Sequence, residues 1–260
     1  MTNERLYRTD AIILHRTDFG EADRLLTVFT PERGKIRLLA KGVRKTTSRK
    51  AGHVELFMLT DMLVAQGRTW DIISQAEIIE PYRDLREDLD KTSQAYYLAE
   101  LLDRFTEEHD ANAPLFQLLT LTLVHLSHTT DPFLLLRYFE LHLLSLTGFQ
   151  PQLHFCVACG EALEPVENYF HFIDGGALCP THGQIRPNAE PLPLSVLKVL
   201  RFLQTEPWEK AAKLQLTPVT RQQVETLLFN YITFLLERRL KSVEFLRQLK
   251  REKRSTDELG

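Results

Sequence analysis

The chain has 260 residues, of which 43% are hydrophobic and 26% are charged, and its formal net charge is -3. This composition is that of a globular protein with room for one large domain or two to three small ones. It contains no run of about 18 apolar residues, and its first ten residues (MTNERLYRTD) lack the apolar core of a signal peptide, so we expect a cytoplasmic protein without a membrane span.

Charge is distributed unevenly along the chain. Residues 1–80 hold 13 basic and 11 acidic residues, whereas residues 81–150 hold 5 basic and 11 acidic residues. Between Arg33 and Lys50 there are eight basic residues and no acidic one. A dense positive block of this kind indicates a surface for a polyanion, most often nucleic acid. The acidic middle segment would repel a phosphate backbone, so we expect the first segment to carry the contacts, with the last segment (151–260) as a secondary candidate.

Residues 6–80 have the pattern of short strands separated by turns. Pro31-Glu32-Arg33-Gly34 is typical of a hairpin turn, and Gln66-Gly67-Arg68 separates a second pair of strands. The predicted strands are Tyr7–Leu14, Arg24–Thr30, Lys35–Lys41, Glu55–Ala65 and Trp70–Glu80. Five short strands predict a small closed barrel, for which the OB-fold is the commonest form and an SH3-like barrel is the alternative.

The basic block supplies the candidate DNA-binding residues. Arg33, Lys35 and Arg37 alternate, so a strand would point all three to one face while Ile36 and Leu38 fill the barrel. The full candidate set is Arg33, Lys35, Arg37, Lys41, Arg44, Lys45, Arg49 and Lys50. No aromatic residue lies within the block, so we expect contact with phosphates more than base stacking, and little sequence preference. A solvated strand and loop without a ligand is the alternative.

The remainder of the chain has helical periodicity with one interruption. The predicted helices are a stripe from Leu85 to Phe105, Leu115–Leu126, a third helix opened by Asp131-Pro132 and ended by Gly148, Leu194–Leu203, and Arg221–Leu236 after Thr217-Pro218. We therefore predict an α+β protein with several domains: a barrel over residues 1–80, an all-α domain over 81–250 and a charged tail over 251–260.

The interruption holds all three cysteines. Cys156, Cys159, Cys179 and His182 follow the spacing C-x2-C-x19-C-x2-H, and each half is a two-residue loop followed by glycine. Three thiolates and one imidazole complete a tetrahedral shell, which predicts one structural Zn²⁺ in a zinc-finger module over residues 151–186. The alternatives are free cysteines or a disulfide, and a cytosolic location disfavours the disulfide. The base deaminases need H-x-E and P-C-x-x-C elements, and neither occurs here.

Three stretches of the strand region stand out as a set: Ala11-Ile-Ile-Leu-His15, the run from Phe19 to Lys35, and Ala40-Lys-Gly-Val-Arg-Lys45. Together they resemble the N-terminus of the RecO family of bacterial DNA repair and recombination mediators. The later CxxCG and CxxHG halves resemble that family's zinc module, although His182 stands where many members have cysteine.

The resemblance implies an N-terminal OB-fold and a zinc finger inserted in a helical domain. It also implies binding of single- and double-stranded DNA, strand annealing, and help in loading the recombinase onto DNA coated with single-strand-binding protein. The implied partners are RecR and the tail of single-strand-binding protein, and the implied location is the cytoplasm, on the nucleoid during repair.

Two other functions are weighed against this one. A protein-interaction scaffold would bind little DNA by itself. A nuclease or other metal-dependent enzyme would need clustered carboxylates, which the sequence does not show, and the P-loop, Rossmann and zinc-protease motifs are absent. We therefore expect a mediator without enzymatic activity.

Overall fold

The structure is a computed structural model that describes residues 6–48 and 50–237. Five strands open the chain: β1 Leu6–Phe19, β2 Asp23–Thr30, β3 Gly34–Ala40, β4 Leu59–Ala65 and β5 Asp71–Glu80. They close into a barrel in the order β1-β2-β3-β5-β4, in which only the β3–β5 pairing is parallel. The predicted five-stranded OB-like barrel is confirmed.

The interior of the barrel is filled by alternating apolar side chains from every strand. Ile36 and Leu38 of β3 are 3% and 0% exposed and belong to this core, as the alternation predicts. Val43, in the loop after β3, is 1% exposed and packs into the same cluster. The loop that carries the second half of the basic block is therefore anchored to the barrel at its centre.

Two strand bounds differ from the prediction by more than one residue, and the others agree to within one residue. β1 continues past Leu14 to Phe19, because its second half pairs with β2 down to Phe19 opposite Asp23. The fourth strand begins at Leu59 and not at Glu55, since a 3₁₀ turn at Ala51–His53 precedes it. Phe57 also has a positive φ of 64°, which breaks the extended conformation before the strand begins.

Three helices follow the barrel: α1 Arg83–Glu87, α2 Leu89–Phe105 and α3 Ala113–His128. The apolar stripe from Leu85 to Phe105 predicts one helix, but the chain breaks at Asp88. Asp88 is extended, and its carboxylate accepts from the backbone N–H groups of Asp90 and Lys91. It therefore caps α2 instead of continuing α1.

The next helix, α4, spans Phe133–Leu146. The Asp131 carboxylate accepts from the Phe133 N–H at 3.2 Å, so Asp131 satisfies an N-terminal amide of the helix although Pro132 occupies the cap position. Gly148 follows the helix with a φ of +84°, which confirms its predicted place as the glycine after the C-cap.

The cysteine-rich insertion contains β6 Asn168–His171, β7 Gly176–Leu178, α5 Pro180–Ile185 and β8 Glu190–Leu192, with the strands ordered β7-β6-β8. The chain then returns to helices α6 Leu194–Thr205, α7 Trp208–Ala211 and α8 Pro218–Leu236. Thr217 caps α8 by accepting from the Thr220 N–H, and Pro218 is its first residue, as predicted. A helical domain with a cysteine-containing insertion is therefore confirmed.

The described residues pack into two compact units, one ending at Thr129 and the other beginning at Thr130. Helices α1 to α3 belong to the unit of the barrel. The domain bounds taken from the sequence (1–80, 81–250 and 151–186) stay a prediction, and the predicted tail at 251–260 lies outside the described residues. Across the described part of the chain, none of the helices has both the length and the apolar character that crossing a bilayer requires.

Candidate nucleic-acid interface and metal-binding cluster

The basic block begins in the turn before β3, runs along that strand and continues into the loop beyond it. Its first three cations lie close to other groups of the protein. The Arg33 guanidinium lies 3.8 Å from the centroid of the Tyr7 ring, a cation–π distance. The Arg37 Nε lies 2.8 Å from the Glu108 carboxylate, and both side chains are about half exposed.

Lys35 is predicted to face DNA, but the structure buries it to 8% exposure. Its Nζ donates to the carbonyl oxygens of Asp103 (2.6 Å) and Thr106 (2.7 Å) and lies 3.0 Å from the Asp103 carboxylate. These carbonyls end α2, where the helix dipole favours a cation. Lys35 therefore holds the end of α2 against the barrel, and we leave it out of the proposed DNA surface.

The loop after β3 presents its cations differently. Lys41 and Lys45 are exposed, and neither forms an ion pair with any residue in the described ranges. Arg44 lies 3.4 Å from the carboxylate of Asp18, which is itself 56% exposed. A surface pair of this kind is weak and open to exchange with a phosphate.

The two remaining cations of the block have other placements. Lys50 is half-buried and donates to the carbonyl oxygen of Ile73 at 2.8 Å, and burial lowers the pKa of its ammonium group. Arg49 was predicted as a DNA contact and lies outside the described residues.

Hydrogen bonds fix this loop to the turn between β1 and β2. The Gly42 N–H donates to the Asp23 carboxylate at 2.7 Å, and the Arg44 N–H donates to the Ala22 carbonyl at 2.9 Å. Between loop and turn lies an open depression of about 690 Å³. It is lined by Phe19, Gly20, Glu21, Ala22, Asp23, Lys41, Gly42 and Lys45.

Two aromatic residues beside this depression, Phe19 and Trp70, lie outside the basic block, so the block alone does not predict them. Phe19 ends β1 and is 42% exposed. Its ring meets the ring of Trp70, which directly precedes β5, with centroids 5.0 Å apart and planes at 81°. The sequence signal is weak, because each aromatic only flanks a glycine-containing turn (Phe19-Gly20 and Gly67-Arg68-Thr69-Trp70).

The cysteine cluster forms as the spacing predicts. The ligand atoms of Cys156, Cys159, Cys179 and His182 all lie within 4.8 Å of one another. The Cys179 Sγ lies 3.1 Å from the His182 Nδ1, which makes Nδ1 the nitrogen that faces the sulfurs. A tetrahedral zinc shell with bonds of about 2.0 to 2.3 Å needs ligand atoms roughly 3.5 to 3.8 Å apart, so the cluster could hold such an ion.

The backbone around Cys156 favours the thiolate form of this residue. Burial raises the pKa of the Cys156 thiol, but N–H groups of Cys179, Cys159 and Ala158 point at its sulfur and bring the pKa down to about 6. A thiolate is the form that binds a metal.

A glycine follows each pair of ligands, and glycine is needed at the two positions for different physical reasons. Gly160 has a φ of +77°, a left-handed conformation that closes the first loop. Gly183 lies in α5, where an added Cβ would come within 2.2 Å of the Tyr169 ring.

Both the barrel region and the helical region that follows it match models of known protein families. Residues 1–82 match the family described as "Recombination protein O N terminal", and residues 86–244 match the one described as "Recombination protein O C terminal". The chain is 44% identical to the DNA repair protein RecO of Roseiflexus sp. (strain RS-1) over 243 residues, which cover 94% of this chain and 86% of the relative. It is 36% identical to the RecO protein of Dehalococcoides mccartyi (strain ATCC BAA-2266 / KCTC 15142 / 195), over 96% of this chain and 99% of that relative. It is 33% identical to the RecO protein of Bacillus pumilus (strain SAFR-032), over 96% of each chain.

Proposed function

Because the chain belongs to the RecO family of non-enzymatic DNA repair and recombination mediators, we propose that it binds single- and double-stranded DNA and anneals complementary strands. We further propose that it assists the loading of a recombinase onto DNA coated with single-strand-binding protein. RecR and the tail of single-strand-binding protein are the proposed protein partners, on the strength of the family resemblance.

The observation that carries the DNA-binding proposal is the loop of residues 41–45 on the OB-like barrel. Lys41, Arg44 and Lys45 are exposed there beside an open depression. Cations held on a rigid loop gain affinity for a phosphate backbone through counterion release, which depends little on base sequence. Such a surface suits a protein that must hold many different strands.

We propose that the cysteine cluster binds one Zn²⁺ and that this ion is structural. Four protein ligands close the shell, so the ion would have no open position for water or substrate. Its contribution would be folding energy for this small module, on the order of 10 kcal/mol. Metal analysis of the purified protein should give one zinc per chain, and Cys156→Ser should lose the metal together with the thermal stability of this module.

Salt dependence tests the DNA-binding proposal. The affinity of the full chain for a fluorescent single strand and for a duplex is measured between about 50 and 200 mM salt. Replacing Lys41, Arg44 and Lys45 together with alanine should flatten the log–log slope on single strands by about two units. The matched control replaces Lys198, Lys210 and Lys213, three lysines of the second compact unit, and should leave the slope unchanged.

Two results would count against the proposal. If the full chain fails to bind either form of DNA at low salt, the chain acts as a protein-interaction scaffold instead. If the loop variant and its control have the same slope, DNA is held elsewhere. Annealing is measured in parallel as the rate at which two labelled complementary strands pair, which the protein should raise and the loop variant should raise less.

A further inference from the structure

We propose that Phe19 and Trp70 form a stacking platform for an unpaired base, so that the barrel prefers single strands and reads them through their bases as well as their phosphates. The inference rests on the proposed function, since it names further residues of the same DNA surface. It also replaces the expectation, taken from the basic block alone, that contact is mainly with phosphates.

The geometry of the pair leaves ring surface free for a ligand. Phe19 and Trp70 meet edge to face, with centroids 5.0 Å apart and planes at 81°. In such an arrangement the ring that offers its edge keeps both of its faces clear of its partner. Phe19 is 42% exposed at the end of β1, so part of its ring is open to solvent and within reach of a ligand.

Trp70 is held in place by the turn that precedes β5. Asp71, next to Trp70, accepts from the Tyr7 hydroxyl at 2.8 Å and from the Gly67 N–H at 3.1 Å. Gly67 is required there, because an added Cβ would come within 1.9 Å of the Trp70 carbonyl oxygen. A preorganised aromatic surface loses little conformational entropy on binding, which is the condition for stacking to add affinity.

The surrounding charge identifies the occupant. Phe19 lines the same depression as Lys41 and Lys45, so a nucleotide with its base on the ring would have cations within reach of its phosphates. The acidic groups at this site have partners of their own: Asp23 accepts from the Gly42 N–H, and Asp18 pairs with Arg24 and Arg44. Glu21 is the exposed carboxylate that remains on the rim.

These features favour an unpaired base over other ligands. Every base has a π face, so stacking on aromatic side chains tolerates any sequence and is worth about 1–3 kcal/mol per base. In a duplex the bases are already stacked on one another and hidden from such a platform. The structure therefore assigns to Phe19 and Trp70 a preference for single strands that the lysines alone would not create.

Tryptophan fluorescence tests the platform directly, because the chain has two tryptophans, Trp70 and Trp208. Trp208 packs against Tyr138 in the second compact unit, so Trp208→Phe leaves Trp70 as the sole reporter. This variant of the full chain is titrated with oligothymidine and with an abasic strand of the same length and charge. The oligothymidine should quench Trp70, and the abasic strand should bind without quenching it.

A substitution adds an affinity measurement. Phe19→Leu should weaken binding of oligothymidine by about tenfold and leave binding of the abasic strand and its salt slope unchanged. Phe234→Leu, which alters a ring of similar exposure (44%) on α8, is the matched control and should change neither.

The outcomes separate the two proposals. Equal quenching by both strands, or equal weakening of both by Phe19→Leu, would overturn the platform while DNA binding by the lysines stands. If neither strand binds, the proposed function fails and the platform fails with it. If Phe19→Leu does not fold, the quenching comparison in the Trp208→Phe protein still decides the question.

Discussion

The two halves of the basic block each begin with three cations in five residues, at 33–37 and at 41–45, but the structure places these cations differently. From Arg33 to Arg37 the cations meet an aromatic ring, a helix end and a carboxylate of the same compact unit. From Lys41 to Lys45 they extend from an anchored loop into solvent. Charge density along the sequence is similar in both halves, so it does not by itself locate the DNA surface.

What separates the halves is a segment far along the chain. Residues 103–110, at the end of α2 and beyond, run beside β3: the His109 N–H donates to the Lys35 carbonyl at 2.9 Å, and Glu108 pairs with Arg37. Part of the acidic excess of the helical region is thereby matched to the first half of the block. In the second half only Arg44 pairs with a carboxylate of the described residues, that of Asp18, and the charges of Lys41 and Lys45 remain for a polyanion.

The largest expected effect on the free energy of unfolding is at Gly34, where β3 lies against this segment. Gly34 has a φ of +60°, and an added Cβ would lie 1.9 Å from the Asp110 carbonyl oxygen. Gly34→Ala should lower the free energy of unfolding by about 4 kcal/mol, roughly 1 from the left-handed backbone and up to about 3 from the displaced segment. Urea denaturation measures the change.

Gly20→Ala is the matched control for that substitution. Gly20 has nearly the same φ, +59°, but nothing lies within 4 Å of its added Cβ. Its cost should be the backbone strain alone, about 1 kcal/mol. Equal costs for the two variants would mean that residues 103–110 do not press on β3.

The next effect is that of Lys35 itself. Lys35→Met keeps the length of the side chain and removes the ammonium group, which leaves the carbonyls of Asp103 and Thr106 without their donor. The unfolding free energy should fall by about 3 kcal/mol. Arg37→Met breaks only an exposed pair and should cost less than about 1 kcal/mol.

DNA binding distinguishes Lys35 from a phosphate ligand. Under conditions where the Lys35→Met protein is folded, its salt slope should equal that of the unaltered chain. A slope lower by the amount of one phosphate contact would place Lys35 on the DNA surface after all.

The barrel and the cysteine cluster can be predicted from the sequence because the patterns that specify them extend over only a few residues. Strand alternation places Ile36 and Leu38 inside without reference to the rest of the chain, and two CxxC-like loops set four ligand atoms within 4.8 Å once they meet. Prediction fails where the decisive partner is remote. Lys35 and Thr106 are 71 residues apart, so alternation gives the face of Lys35 but not what covers that face.

The same limit applies to the aromatic pair. Phe19 and Trp70 come from different hairpins, and only closure of the barrel brings their rings to 5.0 Å. The break at Asp88 has the opposite cause, because a local carboxylate cap overrides an apolar stripe that continues on either side of it. Periodicity therefore identifies the buried face of each element more reliably than its ends or its neighbours.

A smaller effect should distinguish individual cations of the two halves. Lys41→Ala and Lys45→Ala should each lower the salt slope on single strands by about 0.7, the amount expected for one phosphate. Arg37→Ala should lower it by less, since that guanidinium is already paired with Glu108. The three slopes are measured by fluorescence anisotropy under identical conditions. A larger change for Arg37 than for the lysines would mean that the first half of the block, and not the second, contacts DNA.

The smallest expected effect is the pH dependence of stability contributed by Lys50. This residue is intermediate between the cations that are paired within the protein and those that are exposed to solvent. Burial lowers the pKa of its ammonium group below the ordinary value of 10.5. Between the lowered pKa and 10.5 the unfolded chain binds more protons than the folded one, so the stability contributed by this residue rises with pH across that window. Below the lowered pKa both states are protonated, and its contribution is constant.

Subtracting a variant isolates this contribution from other groups that titrate at alkaline pH. The unfolding free energy of the unaltered chain minus that of Lys50→Met should increase slightly as the pH is raised from about 8 towards 10. Chemical denaturation at each pH gives the difference. A difference that stays flat would mean that Lys50 is as well solvated as Lys41 and Lys45, and it would then join them as a candidate for the DNA surface.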